Sequence, residues 1–146
     1  MDADRVISTC TSVNLRRAAR AVTHILYQHL QPTGLRVGQF GILVNIMKHG
    51  ATPITDLADI LVTDRTTVTR NLALLERDGF VEVKPGKDKR VREVTLTEAG
   101  RAKLEEAYPL WLEAEAGIRE RLGGDRWEKT LEAARAVAAL VDSFDE

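Results

Sequence analysis

Residues 64–96 read DRTTVTRNLALLERDGFVEVKPGKDKRVREVTL. In the first fifteen positions Val68, Leu72 and Leu75 recur at helical spacing, which predicts a helix over 64–78 with these three on its inner face. Gly79 follows with the place and type of a left-handed C-terminal cap. The period then changes. Residues 80–84 and 91–96 carry β-branched side chains in partial alternation and read as two strands, with 85–90 between them as a hairpin tip longer than a two-residue turn. The outward face of the helix carries Thr66, Thr67, Arg70 and Arg77, with Arg65 and Thr69 on its flank; Leu74 is outward by the same count.

Working outward, residues 5–31 place Leu15, Ala18, Ala19, Val22, Ile25, Leu26 and Leu30 on one helix face, ended by Pro32 and Gly34. A second helix has Phe40, Leu43, Val44 and Met47 as its apolar stripe and stops at His49 and Gly50. A short unit over 54–61 buries Leu57, Ala58, Ile60 and Leu61, and Val62-Thr63 turns it into the helix above. Downstream, Thr97 is placed to cap a helix over 98–122, with Leu104, Leu112 and Ile118 among its apolar positions and Pro109 as a kink. Gly123-Gly124 break it. Asp125 and Glu128 suggest a capping box for a last helix through Leu131, Ala134, Ala138 and Val141. The expected fold class is mainly α with a small β-wing (α+β), a winged helix-turn-helix. Its parts are an N-terminal helix (1–34), the winged lobe (35–98) and C-terminal helices (99–146), in one continuous domain. The apolar faces of the flanking helices exceed what a small lobe can cover, which points to a homodimer.

Composition narrows the class. The chain has 146 residues, 44% apolar and 29% charged, with a net charge of −1. One domain is expected, and disorder is not. No apolar run reaches the roughly 20 residues of a membrane span, the start lacks a basic-then-apolar signal, and a lone Cys fits a reducing setting, so a cytoplasmic location is expected. The charges are segregated. Residues 62–92 hold eight basic against five acidic groups, and residues 93–146 hold seven against thirteen. Lys84, Lys87, Lys89, Arg90 and Arg92 crowd nine positions, with Asp88 as the one acid between Lys84 and Arg92. This reads either as a solvated surface hairpin or as a surface for an anionic partner. An α-helix fits the major groove of duplex DNA, a basic loop beside it can reach phosphates or the minor groove, and Thr and Arg donate to base edges and phosphates.

Several stretches, in order and at matching spacing over residues 35–101, resemble the MarR family of transcriptional regulators. They are Gln39-Phe40, Asp56-Leu57-Ala58, Asp64 through Arg70, Leu75 through Val81, Asp88-Lys89-Arg90, and Leu96-Thr97-Glu98-Ala99-Gly100. The resemblance implies a sequence-specific, dimeric DNA-binding regulator, commonly a repressor, released from a pseudo-palindromic operator by a small effector or by oxidation. It implies DNA contacts from Arg65, Thr66, Thr67, Thr69, Arg70, Lys84, Lys87, Asp88, Lys89 and Arg90. In the family's wing motif the Asp, here Asp88, steadies an Arg, here Arg90, directed into the minor groove. Lys89 stands where a second Arg is usual, which keeps the charge and loses a planar fork. Aromatic acids are common effectors of the family, and nothing in this sequence selects one. The operator, the target genes and the choice between repressor and activator are not legible either.

Alternative chemistries have less in the sequence to support them. Cys10, near the start of the first helix, is a candidate redox thiol, but the aromatic residues that follow such sensor cysteines are replaced by Thr11-Ser12-Val13-Asn14. His24 and His29 are five apart, off a common helix face, and His49 stands alone, so no metal site and no cofactor are expected. No nucleophile signature, phosphate loop or paired-carboxylate motif suggests an enzyme. A winged helix that binds only proteins is a further reading. Tyr108, Trp111 and Trp127 read as core or interface aromatics or as pocket walls, and Arg16, Arg17 and Arg20 as a solvated face or an anion contact.

Overall fold

The computed structural model describes residues 1–141. Seven helices and three short strands follow the chain as α1 (Ala3–Thr9), α2 (Thr11–Leu30), a 3-10 turn (Gln31–Thr33), α3 (Val37–His49), β1 (Thr52–Pro53), α4 (Ile54–Ile60), α5 (Arg65–Arg77), β2 (Val81–Pro85), β3 (Arg92–Leu96), α6 (Glu98–Leu122) and α7 (Gly124–Ala138). The last five residues of the expected C-terminal part, 142–146, lie outside the described residues.

The core forms where α3, α4, α5, the sheet and α6 meet. Leu43, Ile46, Leu57, Val68, Leu75 and Val94 are fully buried there, joined by Leu30 at the end of α2, by Leu35 just before α3 and by Leu104 and Ala107 from α6. The sheet is antiparallel in the order β1-β3-β2, with Thr52 opposite Val94 and Val83 opposite Val94 on its other side. Sequence reading finds the hairpin and misses β1. Two residues carry no alternation, so only pairing reveals them.

The expected first helix is two. The chain leaves helical geometry at Cys10 (φ −71°, ψ 110°), within the run Ser8-Thr9-Cys10-Thr11-Ser12-Val13. Hydroxyl and β-branched side chains favour helix interiors least and compete for backbone groups. Here Ser8 and Thr9 both donate to the Arg5 carbonyl, and the Asn14 amide donates to the Ile7 and Ser8 carbonyls at the break and to the Cys10 carbonyl, which also accepts the Asn14 backbone N–H.

The apolar stripe of α3 is also rotated from expectation. Gln39, Ile42, Leu43 and Ile46 face the core, while Phe40 is half-buried and Val44 and Met47 are exposed. In α4 Leu57 and Ala58 are buried, Leu61 is half-buried and Ile60 is exposed; in α6 Leu104 and Ile118 are buried and Leu112 is exposed. Helix α6 runs on through Pro109. The Asp125 capping box does not form, because the N-cap of α7 is Gly123 (φ 81°), two residues earlier.

Helices α4 and α5 both end in the same way. The Gly79 N–H donates to the Glu76 carbonyl and the Phe80 N–H to the Leu75 carbonyl, with Gly79 at φ 79°. At the end of α4 the Val62 N–H donates to Asp59 and the Thr63 N–H to Ala58, in the same pattern. The left-handed position there is filled by Val62 at φ 48°, a β-branched residue where glycine is the unstrained choice. Helix α6 enters against the first of these turns. The Thr97 hydroxyl donates to the Gly79 carbonyl at 2.6 Å and its N–H to the Phe80 carbonyl at 3.1 Å, and a side chain at Gly100 would collide with the Phe80 carbonyl.

Two substitutions test these backbone constraints with opposite signs. Val62→Gly should raise stability by about 1 kcal/mol, since relief of the left-handed strain outweighs the entropy that glycine adds to the unfolded chain. Gly100→Ala should lower stability by about 2 kcal/mol or more, because the obstacle is backbone. Denaturant midpoints measure both.

Candidate nucleic-acid interface

The exposed side of α5 and the β2–β3 hairpin form one mechanical unit. Besides the shared turn at Gly79, the Glu76 carboxylate accepts the Val83 N–H at 3.2 Å, which fastens the first wing strand to the last turn of the helix. The N-terminus of α5 is held by Asp64, whose carboxylate accepts the Thr67 N–H at 2.8 Å and the Thr67 hydroxyl at 2.7 Å. These two bonds, the hydroxyl's first, hold the Asp64 carboxyl below its ordinary value of 3.8. Thr67 is therefore half-buried and its hydroxyl already committed, whereas Thr66, Thr69, Arg65 and Arg70 are exposed. Of the outward residues read from the sequence, Thr67 is thus a cap partner. Arg77 is paired with Asp78 at 2.9 Å, and Leu74 is half-buried, turned further inward than its angle suggested.

The wing tip closes on itself through Gly86 N–H to the Val91 carbonyl and Val91 N–H to the Asp88 carbonyl. Within it Asp88 grips Arg90 three times. One carboxylate oxygen accepts the Arg90 backbone N–H at 3.0 Å and its Nε at 3.2 Å, and the other accepts the terminal guanidinium nitrogen at 3.1 Å. The Arg90 side chain, then the Arg90 backbone N–H, pull the Asp88 carboxyl below its ordinary value. The Arg90 side chain is 90% exposed, so this fork serves little in folding stability and aims a cation outward. Lys84 is spent on Glu82 at 2.8 Å. Among the described residues Arg65, Arg70, Lys87, Lys89 and Arg92 make no ion pair.

The remaining candidates lie elsewhere. Cys10 is partly exposed at the junction of α1 and α2. His24 bonds Gln28 and His29 bonds the Ile25 carbonyl. Among the described residues no three metal-binding side chains cluster, and no helix is long and apolar enough to cross a membrane. Trp127 sits apart from the other aromatics, under the Arg119 guanidinium. Tyr108 and Trp111 stack at 5.7 Å and, with Phe40, Val44 and Met47 of α3 and Leu104 of α6, wall a cavity of about 570 Å³. The α3 stripe read as core is half of that wall. A helix face that lines a cavity has the same periodicity as one that lines a core.

A helix-turn-helix whose second helix is clamped to a basic two-stranded hairpin defines a winged-helix protein. The chain belongs to the MarR family: the sequence model of that family matches residues 35–91, and its relatives are named as transcriptional regulators. It is 30% identical over 92 residues to the regulator YwoH of Bacillus subtilis, covering 63% of this chain and 67% of that one. Its fold superimposes on the M. tuberculosis transcriptional regulator MOSR, solved in complex with DNA, with a TM-score of 0.82 and 33% identity over 92% of this chain and 97% of the other. It is also similar to Bordetella bronchiseptica BpsR, whose DNA binding is regulated by 6-hydroxynicotinic acid, at 25% identity and a TM-score of 0.81 over 90% and 94%.

The Asp64 cap gives a pH-dependent prediction. A carboxyl lowered in the folded state contributes stability above its unfolded value and loses it as pH falls through the folded value. Asp64→Ala should therefore melt below the wild type at pH 7, and the two melting temperatures should converge as pH falls below 3.8. Asp64→Asn, which still accepts a bond, should recover part of the difference at pH 7.

Proposed function

We propose that this transcriptional regulator acts as a cytoplasmic homodimer that binds a pseudo-palindromic duplex operator as a repressor and leaves it when a small molecule binds. The observation that carries the reading is the division of the surface cations. Arg65 and Arg70 on the outer side of α5 and Lys87 and Lys89 at the wing tip make no ion pair, Arg77 is held back by Asp78, and Arg90 is held by a fork that orients it outward. In this reading α5 enters the major groove and Thr66, Thr69 and Arg70 meet base edges or adjoining phosphates. Arg65, Lys87 and Lys89 meet phosphates, and Arg90 reaches the minor groove.

Dimerisation is supported by what the protomer leaves uncovered. Helix α2 buries only Leu30 of its twenty residues and α7 buries none, while Val13, Leu15, Val22, Leu112 and Leu122 stand exposed. The three parts then act as residues 1–34 and 99–146 holding two copies of the lobe 35–98, with half-site centres roughly 10 bp apart. Light scattering should return twice the 16.2 kDa chain mass.

The cavity between α3 and α6 lies where the lobe meets a dimerisation helix, so a ligand there can alter their angle. Its lining is aromatic and aliphatic, with Asn45 as its amide and Glu105 as its one charged group. It suits an aromatic molecule, and a neutral one better than an acid, whose carboxylate finds no cation among these walls.

Selection of bound duplexes from a random pool tests the reading, and a pool that stays random overturns it. On the selected duplex Asp88→Ala separates two roles of the wing. If the tip is an electrostatic brush, loss of an acid tightens binding. If Asp88 orients Arg90, binding weakens, and this is the expected result. Arg70→Ala should weaken the selected duplex more than a random one, and Lys89→Ala should reduce the salt slope by about one.

A further inference from the structure

Lys103, in the second turn of α6, is the side chain that sequence reading passed over. A lysine at the edge of an amphipathic helix face is ordinarily a solvated one. Here its side chain is only 20% exposed and its ammonium has three contacts from three parts of the chain. It donates to the carbonyl of buried Thr33 at 3.2 Å, where the 3-10 turn ends the long run of α2. It lies 5.7 Å from the centroid of the Phe80 ring, the first residue after the α5 turn, and it donates to Glu106 at 2.6 Å. Among the described residues the bond to Thr33 is the only side-chain hydrogen bond between α6 and the first 35 residues.

The placement follows from the close approach at Gly100. Residues three and four apart share a helix face, so Gly100, Lys103, Leu104 and Ala107 all look toward the lobe. Gly100 brings the helix down onto the Phe80 backbone, and one turn later Lys103 covers the ring of that same residue. A cation suits this point twice over, since Thr33 presents a C-terminal helix carbonyl and Phe80 a π-face. Apolar packing between helices tolerates sliding. A charged group that must satisfy a buried carbonyl and a ring together does not.

We propose that Lys103 is a positioning residue for operator recognition: it ties the end of α2 to the exit of α5 and so sets the angle of the recognition helix against the helices that join the dimer. The inference rests on the duplex-binding reading above. In a two-fold dimer that angle sets the distance between the two copies of α5, and hence the spacing of half-sites that both can reach at once.

The test uses the full chain, the selected duplex, and two versions of it with one base pair inserted or removed at the centre. Wild type should bind the selected spacing best. Lys103→Met, which keeps the stem and loses the ammonium, should weaken the selected duplex about tenfold. It should also narrow the gap between the selected and altered spacings, and Lys103→Arg should restore both. If Lys103→Met does not fold, Phe80→Leu removes the ring side of the tie and should narrow the gap in the same way. Wild-type affinity and spacing preference in the methionine variant would overturn the proposal. So would an affinity loss at all three spacings in equal proportion, which would make the lysine merely structural. Wild type that selects no duplex would instead sink the duplex-binding reading, and this inference with it.

Discussion

One backbone contact organises the protomer: the entry of α6 against the Gly79-Phe80 turn. Thr97 takes both carbonyls of that turn, through its hydroxyl and its N–H, and its hydroxyl also accepts the Gly100 N–H to cap the helix it begins. Three elements therefore meet at a point with no spare volume. Helix α5 ends there, β2 leaves, and α6 starts, with glycine at position 100 because nothing larger clears the Phe80 carbonyl. A tilt of α5 has to be shared by the wing and by the first turn of α6. A winged helix can only read DNA if its helix and wing keep a constant relation, and here the relation is built from hydrogen bonds to main chain, which have short range and steep angular dependence.

The electrostatics of the surface follow a single rule. Acids close in sequence to an N–H they can accept are used to set local geometry. Asp64 does this at the start of α5 and Asp88 at the wing tip. The exposed Asp88–Arg90 pair contributes little to folding, so its effect is orientation, whereas the Asp64 cap also contributes to helix stability. The basic groups divide accordingly. Arg77 and Lys84 are paired with neighbours, Arg90 is paired but aimed outward, and among the described residues Arg65, Arg70, Lys87, Lys89 and Arg92 make no ion pair.

The winged lobe and the helices flanking it differ in how complete they are. The lobe has a closed core around Leu43, Leu57, Val68, Leu75 and Val94. The flanking helices are amphipathic and largely uncovered, apart from the inner faces of α6 and the end of α2. That asymmetry fits the proposed dimer, in which two rigid lobes would change their separation when a ligand binds. The cavity between α3 and α6 and the Lys103 tie both sit on the seam between the two kinds of structure.

The sequence by itself determined most of what has a local cause in the winged lobe. Val68, Leu72 and Leu75 at helical spacing, Gly79 in a left-handed turn, Thr97 as a cap and the partial alternation of 80–84 and 91–96 are each decided within one or two turns of chain, and the winged-helix order follows from them. The Asp88 and Arg90 pair was also legible, being two residues apart. Tertiary structure decided the rest. Periodicity identifies a face and not what the face meets, so Phe40, Val44 and Met47 read as core and line a cavity. The break at Cys10, where the Asn14 amide reaches back to the Ile7, Ser8 and Cys10 carbonyls, is local, but apolar periodicity alone does not reveal it. Strand β1 exists because β3 lies beside it. Lys103 is one more lysine in a helix until Thr33, seventy residues away, is folded against it, and contacts of that range leave no trace in local spacing.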